Sequence, residues 1–432
     1  MAPAPSAAAA VKNVHHTVVM VTTSYPRFPG DSVGTFMEPI AKSIAARGHE
    51  VHVVAPWHPR ITRSAEEEGV RFHFFRYAPI SALNVFGYAA GMRADVRLRG
   101  AAYVVAPLAV SAGWRMARHV ATRYAADIMH GHWVVPGGLI ASLAAPSLPL
   151  VISLHDSDVH VAEKLRPARA AARFAFDRAG AITACSEDLR QRAIALGADA
   201  ERIEVVPYGV DTGRFRPLPA EGRAVRERLE LPADAPLAFA AGRLVRKKGL
   251  EFLIEAVARL SASPRPVLAI AGEGDLRQEL ETRARVAGIA DRVRFLGNVH
   301  QDEIADYLAA ADVVVVPSVR DDSGNVDGLP NVVLEALASA TPLVTTAAGG
   351  IGGVVEHGRT ALVVPERDAE ALARAISDVL RDRARAAQLG VAARAQAQAR
   401  FGWDMTAARL EAAYERALAM KSDRTLRFAA PR

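Results

Sequence analysis

Leu237-Ala238-Phe239-Ala240-Ala241-Gly242-Arg243-Leu244-Val245-Arg246-Lys247-Lys248-Gly249 is a short apolar run that stops on a glycine and then turns basic. Five apolar residues bounded by a turn signal read as a buried strand. Glycine straight after a strand permits a tight turn. The apolar pattern that resumes over 250–260 reads as a helix. Strand, turn and helix in that order make one unit of a parallel sheet. The unit recurs downstream, where 267–270, 293–296, 313–316 and 343–345 predict strands. Helices are expected between them, one over 275–287 with Asp275 as its cap.

The same alternation runs upstream. Strands are expected over 17–21, 51–55, 150–154, 181–184 and 203–206, with helices over 35–47, 137–145 and 186–196. Ser186 is a natural N-cap, with Glu187 and Asp188 in the first turn. Alternation of this kind implies sheets covered on both faces. Pro/Gly-containing sequence over 207–235 interrupts it. The expected fold is therefore α/β, two doubly wound Rossmann-like domains facing a cleft: 15–206, a linker over 207–235, and 236–400. Residues 1–14 are expected to be a disordered tail.

Composition narrows the function. A formal charge of +6 over 432 residues is too dilute to argue nucleic-acid binding. The one cysteine, Cys185, excludes an internal disulfide framework and any multi-cysteine metal site, and fits a reducing compartment. The Ala/Pro-rich start lacks the basic n-region of a secretory signal. The stretch 128–155 holds no Asp, Glu, Lys or Arg, but Pro136, Pro146, Pro149 and the Gly137-Gly138 pair break it. It reads as a buried helix and a buried strand rather than a membrane span. A stretch over 92–123 sets Arg93, Arg97, Arg99, Arg115, Arg118 and Arg123 among apolar residues. It is either a face lying on an anionic membrane or a helix packed on the sheet with a solvated arginine face. The second reading is favoured.

Ligands of such sheets bind beyond the carboxyl ends of the strands. There Arg243 and Lys248 can reach an anion, unless the turn is merely a basic surface. Gly297-Asn298-Val299 offers backbone for a planar base to stack on, and Gly272-Glu273-Gly274 reads as a structural turn. The loop over 23–34 carries no G-x-G-x-x-G fingerprint, so a tightly held dinucleotide is not expected. His130, His132, His155, Asp156 and Asp158 lie at strand ends, but no H-E-x-x-H pattern or cysteine cluster accompanies them, and no metal is expected. His155 follows a fully apolar strand and is expected to point into the cleft. Finally, Asp327-Gly328-Leu329-Pro330-Asn331-Val332-Val333-Leu334-Glu335 puts an acid in a loop, a proline just inside a helix start and a second acid two turns on. A helix start suits a phosphate, and two carboxylates suit hydroxyls, which together describe a nucleotide sugar. The competing reading is an ordinary amphipathic helix with Glu335 on its solvated face.

In this order, the pieces resemble the GT-B glycosyltransferases of retaining group 4. The resemblance rests on Gly242-Arg243-Leu244 with Lys248-Gly249, Gly272-Glu273-Gly274, the E-x7-E-like Asp327 to Glu335, and Gly349, Gly350, Glu356 and Gly358. Tyr208-Gly209-Val210-Asp211 joins them at the linker. Phe401-Gly402-Trp403 looks like the start of a C-terminal helix, over 401–420, that crosses back onto the first domain ahead of a basic tail over 421–432. The resemblance implies a metal-independent, retaining transfer of a hexose from a UDP-, GDP- or ADP-linked nucleotide sugar. The acceptor would be a saccharide or a lipid-linked glycan in bacterial cell-surface polysaccharide or glycolipid synthesis. The second domain would bind the donor and the first the acceptor, in the cytoplasm or peripherally on the cytoplasmic face of the membrane. Arg243 and Lys248 would hold the diphosphate, Asp327 the transferred sugar, His155 the sugar or acceptor, and Glu335 the ribose. Gly34, Gly242, Gly297, Asn298, Val299, Gly328, Leu329, Pro330 and Asn331 would complete the donor site. No cofactor and no nucleic-acid partner are implied, and no enzymic nucleophile is assigned.

Three positions depart from the family's pattern. Asp327 stands where Glu is usual and is one methylene shorter. The loop before it, 321–326, is acidic, reads as flexible, and offers a way to move closer. Asp156 stands where Gly is common and Tyr208 where Asn is frequent. Two alternatives follow: a sugar-nucleotide epimerase on the same scaffold, or a non-catalytic subunit that binds a sugar nucleotide.

Overall fold

The computed structural model describes residues 15–429, apart from 32, 85–86, 89–91, 94–96, 99, 233–234 and 261–264. The expected tail over 1–14, Arg99 and the last three residues of the basic tail lie outside the described residues. Two sheets carry the fold. The first runs Ile203–Val205, Ala181–Ala184, Leu150–Leu154, Ile128–His132, Thr17–Val21, Glu50–Pro56 and Val70–Phe75, all parallel, and closes with the short antiparallel Glu66–Glu67. The second is wholly parallel: Val293–Gly297, Val267–Ala271, Leu237–Ala241, Val313–Val316, Leu343–Thr346 and Leu362–Val364. Its four inner strands are apolar and almost entirely buried because helices cover both faces, while the edge strands Val293–Gly297 and Leu362–Val364 are partly open.

The second sheet's order, renumbered along the chain, is 3-2-1-4-5-6, so it reverses direction between Leu237–Ala241 and Val313–Val316. In the first sheet the reversal lies at Thr17–Val21, between Ile128–His132 and Glu50–Pro56. These crevices are where such sheets take ligands.

Several expectations change. His130-Gly131-His132, expected at the end of a strand, forms a strand itself, Ile128–His132, in the middle of the sheet. His130 is satisfied there, with Nδ1 2.9 Å from the Tyr414 hydroxyl and Nε2 2.8 Å from Ser153 Oγ, while His132 is satisfied only at Nδ1, 3.0 Å from His155 Nε2. The 207–235 stretch contains a helix, Pro219–Arg228, which packs on Ile304–Ala310 of the second half. Asp275 does not cap the next helix, Arg277–Val286; Leu276 holds the cap position, with no side-chain cap. Pro330 sits at the N-cap of Asn331–Ala338, one residue outside the helix.

The basic stretch contains the long helix Gly100–Arg123. Val105, Ala109, Ala112, Ala117 and Val120 are buried, while Arg115, Arg118 and Arg123 are exposed. That is the packed helix with a solvated arginine face. Among the described residues no helix is long and apolar enough to cross a membrane. The last helix, Trp403–Ala429, runs beyond the expected end at 420. It packs on Met37–Ala46 and on strands Leu150–Leu154 and Ala181–Ala184 of the first sheet. Its Tyr414 is fully buried.

Gly249 closes the basic turn at φ +61°, where a side chain is strained. An added Cβ would also lie 2.0 Å from the Pro317 carbonyl oxygen. Gly249→Ala is therefore expected to lower stability by about 3 kcal/mol, read as a shifted urea midpoint. A midpoint that does not move would refute this account of the turn.

Candidate active site

The loops after Leu237–Ala241 and Val313–Val316 open onto a cleft of about 660 Å³ between the two sheets. A cavity of that size suits a small organic ligand. Gly242 leaves the first of these strands at φ +148°, a conformation glycine takes without strain. The three basic residues that follow fan apart on one short turn, Arg246–Lys248. Arg246 faces outward to Glu279 and Glu251. Lys247 is buried, with Nζ 2.6 Å from Asp156 Oδ2 and 3.4 Å from Asp327 Oδ1. Lys248 Nζ lies 2.8 Å from Asp327 Oδ2, and Ser318 Oγ donates to that same oxygen at 3.1 Å.

Desolvation within the cleft lowers the Arg243 guanidinium and the Lys248 ammonium from their ordinary values, against the pull of Asp327, although Arg243 itself keeps solvent contact and Lys248 is half-buried. Lys247 goes the other way: burial opposes its charge, but Asp156 and Asp327 overcome it. For Asp327, burial favours the neutral acid, yet Lys248 and Lys247 hold the carboxyl well below the usual carboxylate range. Asp327 is thus a fixed anion between two lysines.

The chain then passes against the first domain. A Cβ at Gly328 would lie 2.8 Å from Cys185 Sγ and 2.9 Å from the His155 carbonyl oxygen, so only glycine passes. No side chain caps Asn331–Ala338, whose first N–H groups are the natural seat for an anion. Asn331 Nδ2 donates across the cleft to Thr35 Oγ1 at 3.1 Å. Glu335 is buried, against the solvated-face reading, and Gln301 Nε2 donates to its Oε1 at 3.2 Å. Burial pushes its carboxyl up to about 7, with Gln301 and Arg214 offsetting only part.

Gly34, Gly242, Arg243, Lys248, Asn298, Val299, Asp327, Gly328, Leu329, Pro330, Asn331, Glu335 and His155 all line this cleft. Gly297 does not. It stands behind the wall, where its carbonyl accepts from Gly272 N–H at 2.7 Å. His155 borders the cleft, but both ring nitrogens are engaged: Nδ1 lies 2.8 Å from the Tyr208 hydroxyl and Nε2 lies 3.0 Å from His132 Nδ1. Burial lowers this imidazole to about 3, so it stays neutral. Loop 321–326, expected to be flexible, is a tied turn. Asp321 Oδ1 accepts from the N–H groups of Ser323 and Asn325, at 2.8 and 3.0 Å. It cannot simply swing closer to make up the methylene missing at Asp327. Two side chains of this site escaped the sequence reading. Lys247 was quoted but given no role, and Gln301 carried no signal. Among the described residues no group of three or more His, Cys, Asp or Glu could hold a metal.

Comparison with known proteins agrees with this geometry. Residues 223–396 match the model of the glycosyl transferases group 1, and 32–209 that of the glycosyl transferase 4-like domain. The chain is 30% identical over 397 residues to a GDP-mannose-dependent alpha-(1-6)-phosphatidylinositol monomannoside mannosyltransferase of Mycobacterium tuberculosis, covering 91% of this chain and 96% of that one. It is 34% identical over 316 residues, 68% of each chain, to a D-inositol 3-phosphate glycosyltransferase of Streptomyces scabiei. The fold is similar to that of sucrose-phosphate synthase from Thermosynechococcus elongatus, with a TM-score of 0.76 at 22% identity over 94% of this chain and 100% of that one. The cleft between two doubly wound sheets is that of a GT-B glycosyltransferase. The chain belongs to the group 1 glycosyl transferases, group 4 of that fold.

Glu335 yields a pH prediction. Its ordinary carboxyl value is 4.5, raised here to about 7. If Glu335 takes ribose hydroxyls, these donate to the ionised form, so binding would favour deprotonation and weaken as pH falls through 7. Affinity for a nucleotide sugar, whose diphosphate diester does not titrate there, should rise about tenfold from pH 6 to 8. Isothermal calorimetry of wild type and Glu335→Gln checks this. The rise should vanish in the variant, and a flat wild-type profile would sink the assignment.

Proposed function

We propose that this glycosyltransferase is a retaining, metal-independent hexosyltransferase whose second domain grips the nucleotide sugar and whose first domain holds the acceptor. One observation carries the reading: Arg243, Lys248, Asp327 and the uncapped start of Asn331–Ala338 converge on one cleft floor, with Glu335 one turn further along. A departing nucleoside diphosphate gains negative charge as the glycosidic bond breaks. Two preorganised cations and a helix start neutralise that charge where water is scarce, which is the work a metal performs elsewhere. Glu335 takes the ribose hydroxyls and Asp327 those of the hexose. His155, neutral and held by Tyr208 and His132, offers the sugar a fixed ring edge. The configuration is retained by departure and attack on one face, without an enzymic nucleophile.

The mycobacterial relative, matched over nearly its whole length, favours GDP-mannose as donor and an inositol-containing lipid-linked acceptor. Such an acceptor favours an enzyme that works in the cytoplasm and touches the membrane peripherally. The test is release of GDP from GDP-mannose, with a panel of UDP- and ADP-sugars beside it. Product anomer is read by NMR, and activity is measured with and without EDTA. Turnover should survive EDTA, and Lys248→Ala should lower kcat by about two to three orders of magnitude. Loss of activity in EDTA would overturn metal independence, and full activity in Lys248→Ala would overturn the assigned diphosphate site.

A further inference from the structure

Two departures from the family pattern, Asp156 and Asp327, lie on opposite walls of the cleft and meet on one side chain. Lys247 Nζ sits between them, 2.6 Å from Asp156 Oδ2 and 3.4 Å from Asp327 Oδ1. All three side chains are buried, and Asp156 reaches the lysine from a backbone at φ +121°, a strained conformation for a residue with a Cβ. Arg192 Nη1, 3.7 Å from Asp156 Oδ1, completes the charge around it. On its other side, Asp327 Oδ2 is held by Lys248.

That second contact creates a conflict. Lys248 is assigned to the donor's diphosphate, yet its ammonium already pairs with the acid assigned to the transferred sugar. A diphosphate that recruits Lys248 removes half of what fixes Asp327. A short, buried carboxylate without a cation is costly and has no preferred direction. We propose that Lys247 is a positioning residue that resolves this conflict. It keeps the Asp327 carboxylate charged and aimed at the sugar when Lys248 turns to the diphosphate, and Asp156 anchors it from the opposite wall. The ion pairs Asp156–Lys247–Asp327 thereby tie the orientation of the sugar-binding acid to the approach of the two domains. This inference rests on the proposed roles of Lys248 and Asp327.

The test separates the diphosphate from the sugar. Binding of GDP and of GDP-mannose is measured by calorimetry for wild type, Lys247→Met, Lys247→Arg and the double variant Asp156→Asn/Lys247→Met, with UDP and UDP-glucose in parallel. Lys247→Met should weaken the nucleotide sugar about tenfold or more and lower kcat, leaving the nucleoside diphosphate within about twofold. Lys247→Arg should restore most of both. The double variant removes both charges, so it keeps a folded protein available if the single variant, which leaves two carboxylates facing each other, fails to fold. It should show the same selective loss of the sugar-bearing ligand. Equal weakening of GDP and GDP-mannose would overturn the proposal and make Lys247 a phosphate ligand or a purely structural residue. So would no change in either. Lys248→Ala is the separate control: if it leaves GDP binding intact, the underlying diphosphate assignment fails, whatever Lys247 does.

Discussion

Asp327 is an anion shut away from water, and the floor of the cleft is arranged to keep it one. Isolated, a buried carboxylate would take up a proton. Here Lys248 and Lys247 flank its two oxygens, and Ser318 donates to one of them. Lys247 is itself buried and Lys248 half-buried, and the acid is what makes both charges tolerable. Removing Asp327 would leave two neighbouring cations without their shared acid, and removing either lysine would leave the acid with a single cation. The path to it is fixed by the loop 321–326, tied through Asp321, and by glycine at 328, where the chain passes the Cys185 thiol and the His155 carbonyl. The backbone has to deliver Asp327 to a point already set by two cations on a neighbouring strand's turn.

The fold was largely legible because its signal is local. Apolar runs such as Leu237–Ala241 and Val313–Val316 become strands whose residues are almost all buried, since helices cover both faces of the sheet. The misses share one cause. Ile128–His132 reads as polar, and its place at the sheet's centre depends on Tyr414, nearly three hundred residues later, to satisfy His130. Pro219–Arg228 reads as linker because its partner, Ile304–Ala310, is distant in sequence. Tertiary pairing overrode local pattern in both.

The site was legible where it uses strand ends and helix starts, and opaque where it uses charge pairing between domains. Arg243 and Lys248 follow a strand by a fixed, short distance, so position alone points at them. Lys247 sits beside Lys248 and is chemically identical to it. Both line the cleft, and what distinguishes them is direction on a single turn, Lys247 reaching Asp156 and Lys248 reaching Asp327 Oδ2. Nothing in a basic tripeptide encodes that. The same holds for His155. Its place after an apolar strand was readable, but not that Tyr208 and His132 would occupy both its nitrogens.

The two acids of the motif end up in opposite electrostatic states, though they are one short helix apart. Burial raises both carboxyls. Asp327 has lysines on both oxygens and stays charged. Glu335 has an amide, Gln301, and the weaker pull of Arg214, so it stands near neutrality. The asymmetry follows what each end of a nucleotide sugar would ask of the protein. At the diphosphate end, cations are needed, and an acid placed among them is forced into its ionised form. At the ribose end the ligand is a neutral diol, and a cation there would compete for the carboxylate the hydroxyls need. An acid only partly ionised on its own, if a diol drew it fully into that form, would make ligand binding and proton release one event at that end of the cleft.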